Sequence, residues 1–295
     1  MSLILHLAVL VNIYAVIAIS LNLVAGFGGM LSLSHAAFYG IGAYTTALLT
    51  LRLDWGFLPT LAAGAVLSAL VAVALGAIVL RLKEELFVIA TFALQLVLQN
   101  VMLNWTELTN GPLGIANIPR PVIFGWRVTD IWEFAIIGAC LLGGALWLVT
   151  RLVRSPFGRV LQAIREDEVL ARSQGHDVEY FKVVSFVLSA GLAAVGGSLY
   201  AVYYSYIDPG SFSIHESILI LAMVIIGGAA SVWGPVVGAA ILVCLPEILR
   251  FVGLPTDIAA HLRQVIYGLC IAAIMLWRPR GIMGREAFGR AGGRD

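Results

Sequence analysis

Apolar runs of membrane-spanning length recur along almost the whole chain, and this feature limits the fold more than any other. A helix needs about 20 residues to cross the hydrocarbon core of a bilayer, and each run has approximately this length. Apolar residues make up 60% of the 295-residue sequence, which is more than one soluble core could bury. The expected spans are 3–25, 31–51, 57–80, 86–105, 131–151, 183–206, 215–232, 233–251 and 260–277. The sequence therefore predicts an all-α polytopic integral membrane protein with about 8–10 transmembrane helices surrounded by lipid.

Basic residues concentrate in the segment 151–182 and in the tail 278–295. Because Lys and Arg in short loops mark the cytoplasmic side of a membrane protein, both segments are expected in the cytoplasm. The four spans between them agree with this, and the loop 205–216, which has no Lys or Arg, then lies outside. The full set of spans places the N-terminus outside, whereas it lies inside if 31–51 only enters the membrane and returns. The net charge of +1 gives no indication of a nucleic-acid partner.

A glycine-rich stretch interrupts the second expected span, where residues 26–44 read GFGGMLSLSHAAFYGIGAY. Its Gly-Gly-x-x-Ser pattern at 28–32, followed by Gly-Ala at 42–43, returns at 227–231 and 238–239, which suggests an internal repeat. We expect both segments to be discontinuous, which membrane proteins tolerate where the backbone lines a cavity. The predicted residues of a substrate pathway are Gly28, Gly29, Ser32, Ser34, His35, Gly227, Gly228 and Ser231.

Broken helices offer the partial charges of their free N–H and C=O groups to the carboxylate and ammonium of a zwitterion. The serines and His35 add hydrogen-bonding groups without a permanent charge, which suits weak binding of a small solute in passage. The alternative is that Gly, Ala and Ser here only let helices approach closely. For His35 the alternative is a buried ring bonded to a neighbouring carbonyl group. The sequence leaves both interpretations open.

Residues 155–175, SPFGRVLQAIREDEVLARSQG, are expected to form one short helix with a signal at each end. Ser155 can cap its N-terminus with Pro156 in the first turn, and Gly175 can adopt the left-handed conformation that ends it. The helix combines a partial apolar stripe with a charged one. A helix that lies in the groove of a partner protein needs both features, so a cytoplasmic partner is the sharper interpretation. An ordinary solvated loop is the alternative.

Several kinds of chemistry have no motif in this sequence. It contains no phosphate-binding loop of its own and no metal-binding spacing. Glu85, Glu133 and Glu216 are expected at the ends of spans, which leaves no buried carboxylate to hold a driving ion. Ser32 and His35 could meet on one helix, but their spacing is poor for a nucleophile and its base, which disfavours an intramembrane hydrolase. We therefore expect no enzyme, and energy for uphill transport would have to come from another chain.

Three segments, in this order, resemble the signatures of the Liv-type branched-chain amino acid ABC permeases. The stretch at 26–44 is similar to their first signature, GRVLQAIREDE at 158–168 to their cytoplasmic one, and IIGGAASVWGPVVGAAIL at 225–242 to their third. Ser34 and Ala230 stand where the family commonly has glycine. The subtype looks like the M-type of two paired permease subunits.

The resemblance implies the membrane half of an importer in the inner (plasma) membrane of a bacterial cell. Its partners would be a second permease subunit, two cytoplasmic ABC ATPase subunits and a periplasmic substrate-binding protein. ATP would be used by the ATPases, and no cofactor or metal would bind to this chain. Residues 1–295 would form a single transmembrane permease domain, with 151–182 as the coupling segment. The residues implied in ATPase coupling are Gly158, Arg159, Ala163, Arg165, Glu166, Asp167, Glu168, Ala171 and Gly175.

Branched-chain amino acids are the cargo that the resemblance implies. Urea, short amides and aromatic acids are alternative cargoes, because related permeases share these signatures. A stand-alone channel or facilitator is the alternative from another class. The capped cytoplasmic helix argues against a passive pore, which needs no contact with an ATPase.

Overall fold

The computed structural model describes residues 2–80, 82, 84–123, 125–251, 268 and 281–283. Most of these residues are helical. The α-helices within these ranges are α1 (Ser2–Asn22), α2 (His35–Leu53), α3 (Phe57–Val79), α4 (Glu84–Asn104), α5 (Thr106–Thr109), α6 (Ile131–Arg154), α7 (Pro156–Glu166), α8 (Glu168–Ser173), α9 (Val178–Tyr204), α10 (Ile214–Gly227) and α11 (Gly234–Phe251). A π-helical turn, Leu23–Phe27, continues α1.

Five helical segments in the described residues are long and apolar enough to cross a membrane. They are Leu3–Phe27, Phe57–Gly76, Glu85–Asn104, Ile131–Arg154 and Val178–Tyr204. Helices α2, α10 and α11 pack among them and account for three further expected spans. The prediction of an all-α polytopic membrane protein is confirmed. The expected span 260–277 and most of the tail 278–295 lie outside the described residues, apart from residue 268 and residues 281–283.

Both glycine-rich segments break their helices, as the sequence predicted. Helix α2 begins only at His35, because residues 28–34 leave the helical conformation. We call residues 23–34 the first break and residues 228–233 the second break. Each departs from the helix at the second glycine of its pair, Gly29 with φ +72° and Gly228 with φ +110°. These values lie in the region that glycine adopts at little cost.

Helix α9 lies at the centre of the bundle, with α2 and α3 against it, while α1 contacts α6, α9, α10 and α11. Small residues allow these helices to approach closely. A β-carbon built on Gly42 would lie 2.2 Å from the carbonyl oxygen of Ala194, and one on Gly197 would lie 1.9 Å from that of Tyr39. The backbones of α2 and α9 are therefore almost in contact.

The segment 155–175, which is expected in the cytoplasm, forms two helices, α7 and α8, where the sequence analysis expected one. Asp167 separates them with an extended conformation, φ −155° and ψ 105°, and its carboxylate accepts a hydrogen bond from the N–H of Leu170 at 2.9 Å. This side chain thus caps a new helix in the middle of the expected one. The two end signals are confirmed, since Ser155 caps α7 and Gly175 has φ +86°.

The loops at the opposite end of the long helices carry short strands that the sequence analysis did not predict. Strand β1 (Ile115–Ala116) pairs with β4 (Tyr206–Ile207), and β2 (Val122–Ile123) pairs with β3 (Trp126–Arg127), both in antiparallel orientation. The first pair ties the loop before α6 to the loop after α9.

Candidate functional site

The first break lies directly against helix α7. A β-carbon on Gly28 would lie 3.4 Å from Cδ1 of Leu161, and one on Gly29 would lie 2.8 Å from Cγ of Arg165. Burial lowers the pKa of the Arg165 guanidinium, which nevertheless stays charged at neutral pH. Because Gly29 and Arg165 touch, a movement of α7 reaches the first break without an intermediary.

Asn22 joins the two breaks. Its amide nitrogen donates a hydrogen bond to the carbonyl of Ser231 at 2.9 Å, and its amide oxygen accepts one from the N–H of Ala230 at 3.0 Å. The side chain is fully buried, and Gly26 makes room for it, since a β-carbon there would lie 1.9 Å from the amide oxygen. One side chain at the end of α1 therefore satisfies two backbone groups of a segment 208 residues away.

The second break is held mainly by close packing and capping. A β-carbon on Gly227 would lie 1.9 Å from the carbonyl oxygen of Gly234, and one on Gly238 would lie 1.9 Å from that of Met223. The hydroxyl of Ser231 accepts a hydrogen bond from the N–H of Gly234 at 3.3 Å, at the start of α11. These contacts favour the packing interpretation for Gly227 and Ser231.

Residues beyond the last expected span also reach the second break. The N–H groups of Ile282 and Met283 donate hydrogen bonds to the carbonyls of Ile226 and Gly227 at 3.0 and 2.9 Å. The carbonyls at a helix C-terminus have no partner within their own helix, so these donors complete the end of α10.

His35 is buried and held by a chain of hydroxyl and carbonyl groups. Its Nε2 lies 2.6 Å from the hydroxyl oxygen of Ser189, and that hydroxyl donates its proton to the carbonyl of Ser20 at 2.7 Å. Nε2 must therefore carry a proton and act as the donor to Ser189. The partner is a hydroxyl group, where the sequence analysis weighed a carbonyl. Ser32 pairs with Ser34 at 3.0 Å between their hydroxyl oxygens, so it makes no catalytic pair with His35.

Two side chains from other helices fix the start of α2. The amide oxygen of Gln95 accepts a hydrogen bond from the N–H of Ala37 at 2.8 Å, and the hydroxyl of Ser217 accepts one from the N–H of Ala36 at 3.0 Å. Gln95 and Ser217 are themselves bonded at 3.2 Å. The sequence analysis missed both residues, although a glutamine within an apolar span is a signal of a buried polar contact.

Glu216, in the first turn of α10, contacts the middle of another helix. Its carboxylate accepts a hydrogen bond of 2.6 Å from the hydroxyl of Tyr14, which belongs to the middle of α1. Glu216 lies in the first turn of α10, as expected for a carboxylate at the end of a span, but its hydrogen-bond partner belongs to another helix. A carboxylate within the bundle marks a place where an ammonium group could bind.

Four buried polar atoms have no hydrogen-bond partner among the described residues, and all belong to α2. They are Nδ1 of His35, the hydroxyl oxygens of Tyr39 and Tyr44, and Oγ1 of Thr46. Buried polar groups are normally satisfied by protein or water, so water or a solute in passage could occupy these positions. The pathway role of the predicted residues stays a prediction.

The residues implied in ATPase coupling differ in their exposure to solvent. Gly158 and Ala171 are buried, and Gly158 packs so closely on the end of α6 that a β-carbon would lie 2.3 Å from the carbonyl oxygen of Val153. Arg159, Glu166, Asp167 and Gly175 are exposed, while Ala163, Arg165 and Glu168 are half-buried. Lys182 of α9 binds the carboxylate of Glu168 at 2.6 Å, which fixes α8 to the membrane helices.

Metal-binding geometry does not occur within the described ranges, where no three His, Cys, Asp or Glu side chains converge. The side chains around the two breaks are mostly neutral amides, hydroxyls and one imidazole, with the guanidinium of Arg165 beside the first break. This set of groups suits reversible binding of a polar solute rather than covalent catalysis.

Comparison with known families decides the class of the protein. A family profile described as "Branched-chain amino acid transport system / permease component" matches residues 3–275. The chain belongs to this family. As a permease it is a multi-pass membrane transport protein and not an enzyme.

Curated relatives of the permease carry matching names. It is 32% identical to the high-affinity branched-chain amino acid transport system permease protein LivM of Escherichia coli (strain K12), over 94% of this chain and 69% of the relative. It is 28% identical to LivH of the same organism, over 92% of this chain and 91% of the relative. It is 27% identical to BraD of Pseudomonas aeruginosa, over 92% of each chain. No solved structure gives a significant match.

Replacing Ser32 or His35 by alanine separates the pathway and packing interpretations of the first break. If these groups contact the solute, Ser32→Ala and His35→Ala lower uptake by reconstituted transporter at least several-fold while assembled protein is recovered at the normal yield. Loss of folded protein in gel filtration, at unchanged uptake per folded molecule, would instead indicate a packing role.

Proposed function

We propose that this permease is one membrane subunit of an ATP-driven ABC importer that takes up branched-chain amino acids across a bacterial inner membrane. A periplasmic binding protein would deliver the amino acid, two cytoplasmic ATPase subunits would supply the energy, and this chain would bind no cofactor. A second permease would complete the membrane part, since one organism has two relatives of this chain, LivM and LivH, each named as a permease protein of the same kind of system. Residues 1–295 would act as a single permease domain.

The observation that carries the proposal is that α7 and α8 pack against the first break on one side and expose apolar side chains on the other. On one side, Leu161 and Arg165 lie against the first break, which Asn22 connects to the second break. On the other side, Val169 and Leu170 of α8 are 78% and 55% exposed. Adjacent apolar side chains at a helix surface are typical of docking sites, so an ATPase that moves α7 and α8 would move both breaks.

The groups near the breaks favour a small zwitterion as the cargo. The serines and His35 carry no permanent charge, and Glu216 with the Tyr14 hydroxyl offers a place for an ammonium group. Urea, short amides and aromatic acids remain the alternative cargoes. A stand-alone channel is disfavoured, because it would have no use for an exposed apolar surface on a helix pair fixed by the ion pair of Glu168 and Lys182.

Purification of the tagged chain from membranes of its own host tests the assembly. We expect an ATPase and a second permease to co-purify, as identified by mass spectrometry. Recovery of the chain alone, intact and in good yield, would overturn the proposal and favour a stand-alone channel or facilitator instead.

A charge at Val169 is expected to release the ATPase. Val169→Glu places a carboxylate in the exposed apolar surface of α8, and burial of an unpaired charge at an interface costs several kcal/mol, so the ATPase recovered with the permease falls at least about tenfold. Leu113→Glu is the matched control, because Leu113 is 76% exposed in the loop at the opposite end of the bundle. Equal ATPase recovery with both variants would contradict the assignment of α8 as the docking surface.

A further inference from the structure

An open groove lies on the outer surface of α6, near the end that leads into α7. Its volume is about 700 Å³. Trp147, Thr150, Arg151 and Arg154 of α6 form one wall, and Trp233, the last residue of the second break, forms the other. The groove thus combines a membrane helix with the segment that Asn22 connects to the first break.

The aromatic walls of the groove face away from the protein. Trp147 is 63% exposed and Trp233 is 60% exposed. Tryptophan is enriched where membrane proteins meet the boundary between hydrocarbon and headgroups. Trp147 lies one helical turn before Arg151, so α6 passes from an aromatic level to a charged level along the groove.

The charged end of the groove is strongly cationic. The guanidinium of Arg151 lies 5.7 Å from the centroid of the Trp147 ring, which orients it along the groove, and Arg154 follows three residues later on the same helix face. Neither arginine has a carboxylate partner in the part of the chain that the structure describes, and the groove has no acidic lining residue there. Two guanidiniums beside the hydroxyl of Thr150 match a phosphate group, which arginine binds with paired N–H donors.

We propose that this groove is a binding site for an anionic phospholipid. Arg151 and Arg154 hold the headgroup phosphate, and an acyl chain lies along Gly143 and Leu146, between Trp147 and Trp233. A free phosphate ion would use only the charged end and would leave both tryptophans exposed. The tryptophans match the acyl chain of a lipid molecule, and the adjacent arginines match its anionic headgroup. The inference does not depend on the identity of the cargo.

Binding at this position would also bear on transport. Trp233 is two residues from Ser231, whose carbonyl is bonded to Asn22. A lipid between α6 and Trp233 would therefore contact the break that is expected to move with α7. We expect the rate of uptake to depend on the content of anionic lipid in the membrane.

Lipid titration of the purified complex tests the site. The delipidated complex, with whatever subunits co-purify, is titrated in detergent with phosphatidylglycerol or phosphatidylcholine of identical acyl chains, and bound lipid is counted by native mass spectrometry. Because each arginine near anionic lipid strengthens binding several-fold, we expect phosphatidylglycerol to bind tighter by about tenfold or more. Millimolar inorganic phosphate should not displace it.

Three variants define the contribution of the two arginines. R151Q/R154Q should bring the two lipids to nearly equal affinity, whereas R151K/R154K keeps the charge and should retain most of the preference. R127Q, which removes an exposed arginine from the opposite end of the bundle, should leave the preference unchanged.

Three results would overturn the proposal. The first is equal binding of the two lipids, or a preference that survives R151Q/R154Q. The second is displacement by inorganic phosphate, which would indicate a simple anion site. The third is a photo-reactive residue at position 147 that captures another protein subunit rather than lipid in native membranes, which would make the groove a protein interface.

Discussion

Alanine at position 197 is expected to destroy the packing of α2 on α9. Its β-carbon would lie 1.9 Å from the carbonyl oxygen of Tyr39 and 2.9 Å from the amide nitrogen of Ala43. Both are backbone atoms of α2, so no side-chain rotation relieves the overlap and the helices must separate. Overpacking of a tight core costs about 1–3 kcal/mol when side chains can adjust, and a backbone overlap at a helix crossing should exceed that.

Thermal stability measures this effect. Detergent-solubilised Gly197→Ala should lose most of its monodisperse peak in gel filtration after heating to a temperature that the unmodified protein survives. The control is Gly191→Ala in the same helix, where the nearest atom outside α9, the carbonyl oxygen of Ala65, would lie at an ordinary 3.4 Å. A wild-type melting temperature for Gly197→Ala would show that the two helices are farther apart than described here.

Leucine at position 22 is expected to uncouple the two breaks with little change in the volume of the side chain. The substitution removes both hydrogen bonds of the amide, and the N–H of Ala230 and the carbonyl of Ser231 lose their side-chain partner. A buried polar group without a partner costs about 1–3 kcal/mol. Since about 1.4 kcal/mol corresponds to a factor of ten, we expect uptake by the reconstituted transporter to fall by about tenfold or more.

The matched control for this variant is Asn100→Leu. The Asn100 amide is exposed on α4 and donates only to the carbonyl of Leu96 in its own helix, so its loss should leave uptake near normal. ATPase recovery should be the same for both variants, because neither touches α8. Normal uptake with Asn22→Leu would contradict a mechanical connection between the breaks through this residue.

Features that depend on local sequence could be predicted well. The apolar runs predicted the membrane helices, because length and composition alone decide whether a segment can cross a bilayer. The glycine pairs predicted both breaks, and Gly29 and Gly228 adopt the positive φ values that favour glycine. Ser155 and Gly175 predicted the two ends of the segment that contains α7 and α8. In each case the decisive interaction lies within a few residues of the signal.

Features that depend on distant contacts could not be predicted. Asn22 was passed over because nothing near it indicates that Ala230 and Ser231 are its partners. The hydrogen bond between Tyr14 and Glu216 joins residues 202 positions apart, and nothing near either residue indicates its partner. Asp167 was read as part of one helix, although aspartate is also a frequent N-cap residue, and its extended backbone divides the segment in two.

The sequence predicted the parts of the candidate site but not which of these parts contact one another. The sequence analysis treated the glycine-rich breaks and the segment 155–175 as separate features. It expected the breaks to contact the solute and the segment to bind a partner protein. Gly29 lies against Arg165, so the two features form one continuous unit. Gly227 and Ser231, taken as pathway residues by analogy with Gly28 and Ser32, make tight packing and capping contacts.

The hydrogen bonds from Ile282 and Met283 to the end of α10 also set an order for biosynthesis. Residue 282 follows residue 226 by 56 positions, so at about 5–20 residues per second a ribosome needs roughly 3–11 seconds to supply these donors after it has made α10. During that interval the carbonyls of Ile226 and Gly227 must be satisfied by water, by lipid headgroups or by the insertion machinery. Closure of the second break is thus a late event of membrane insertion, and a nascent chain stalled before residue 282 should expose this region to protease while the membrane-spanning helices α1, α3, α4, α6 and α9 are already protected.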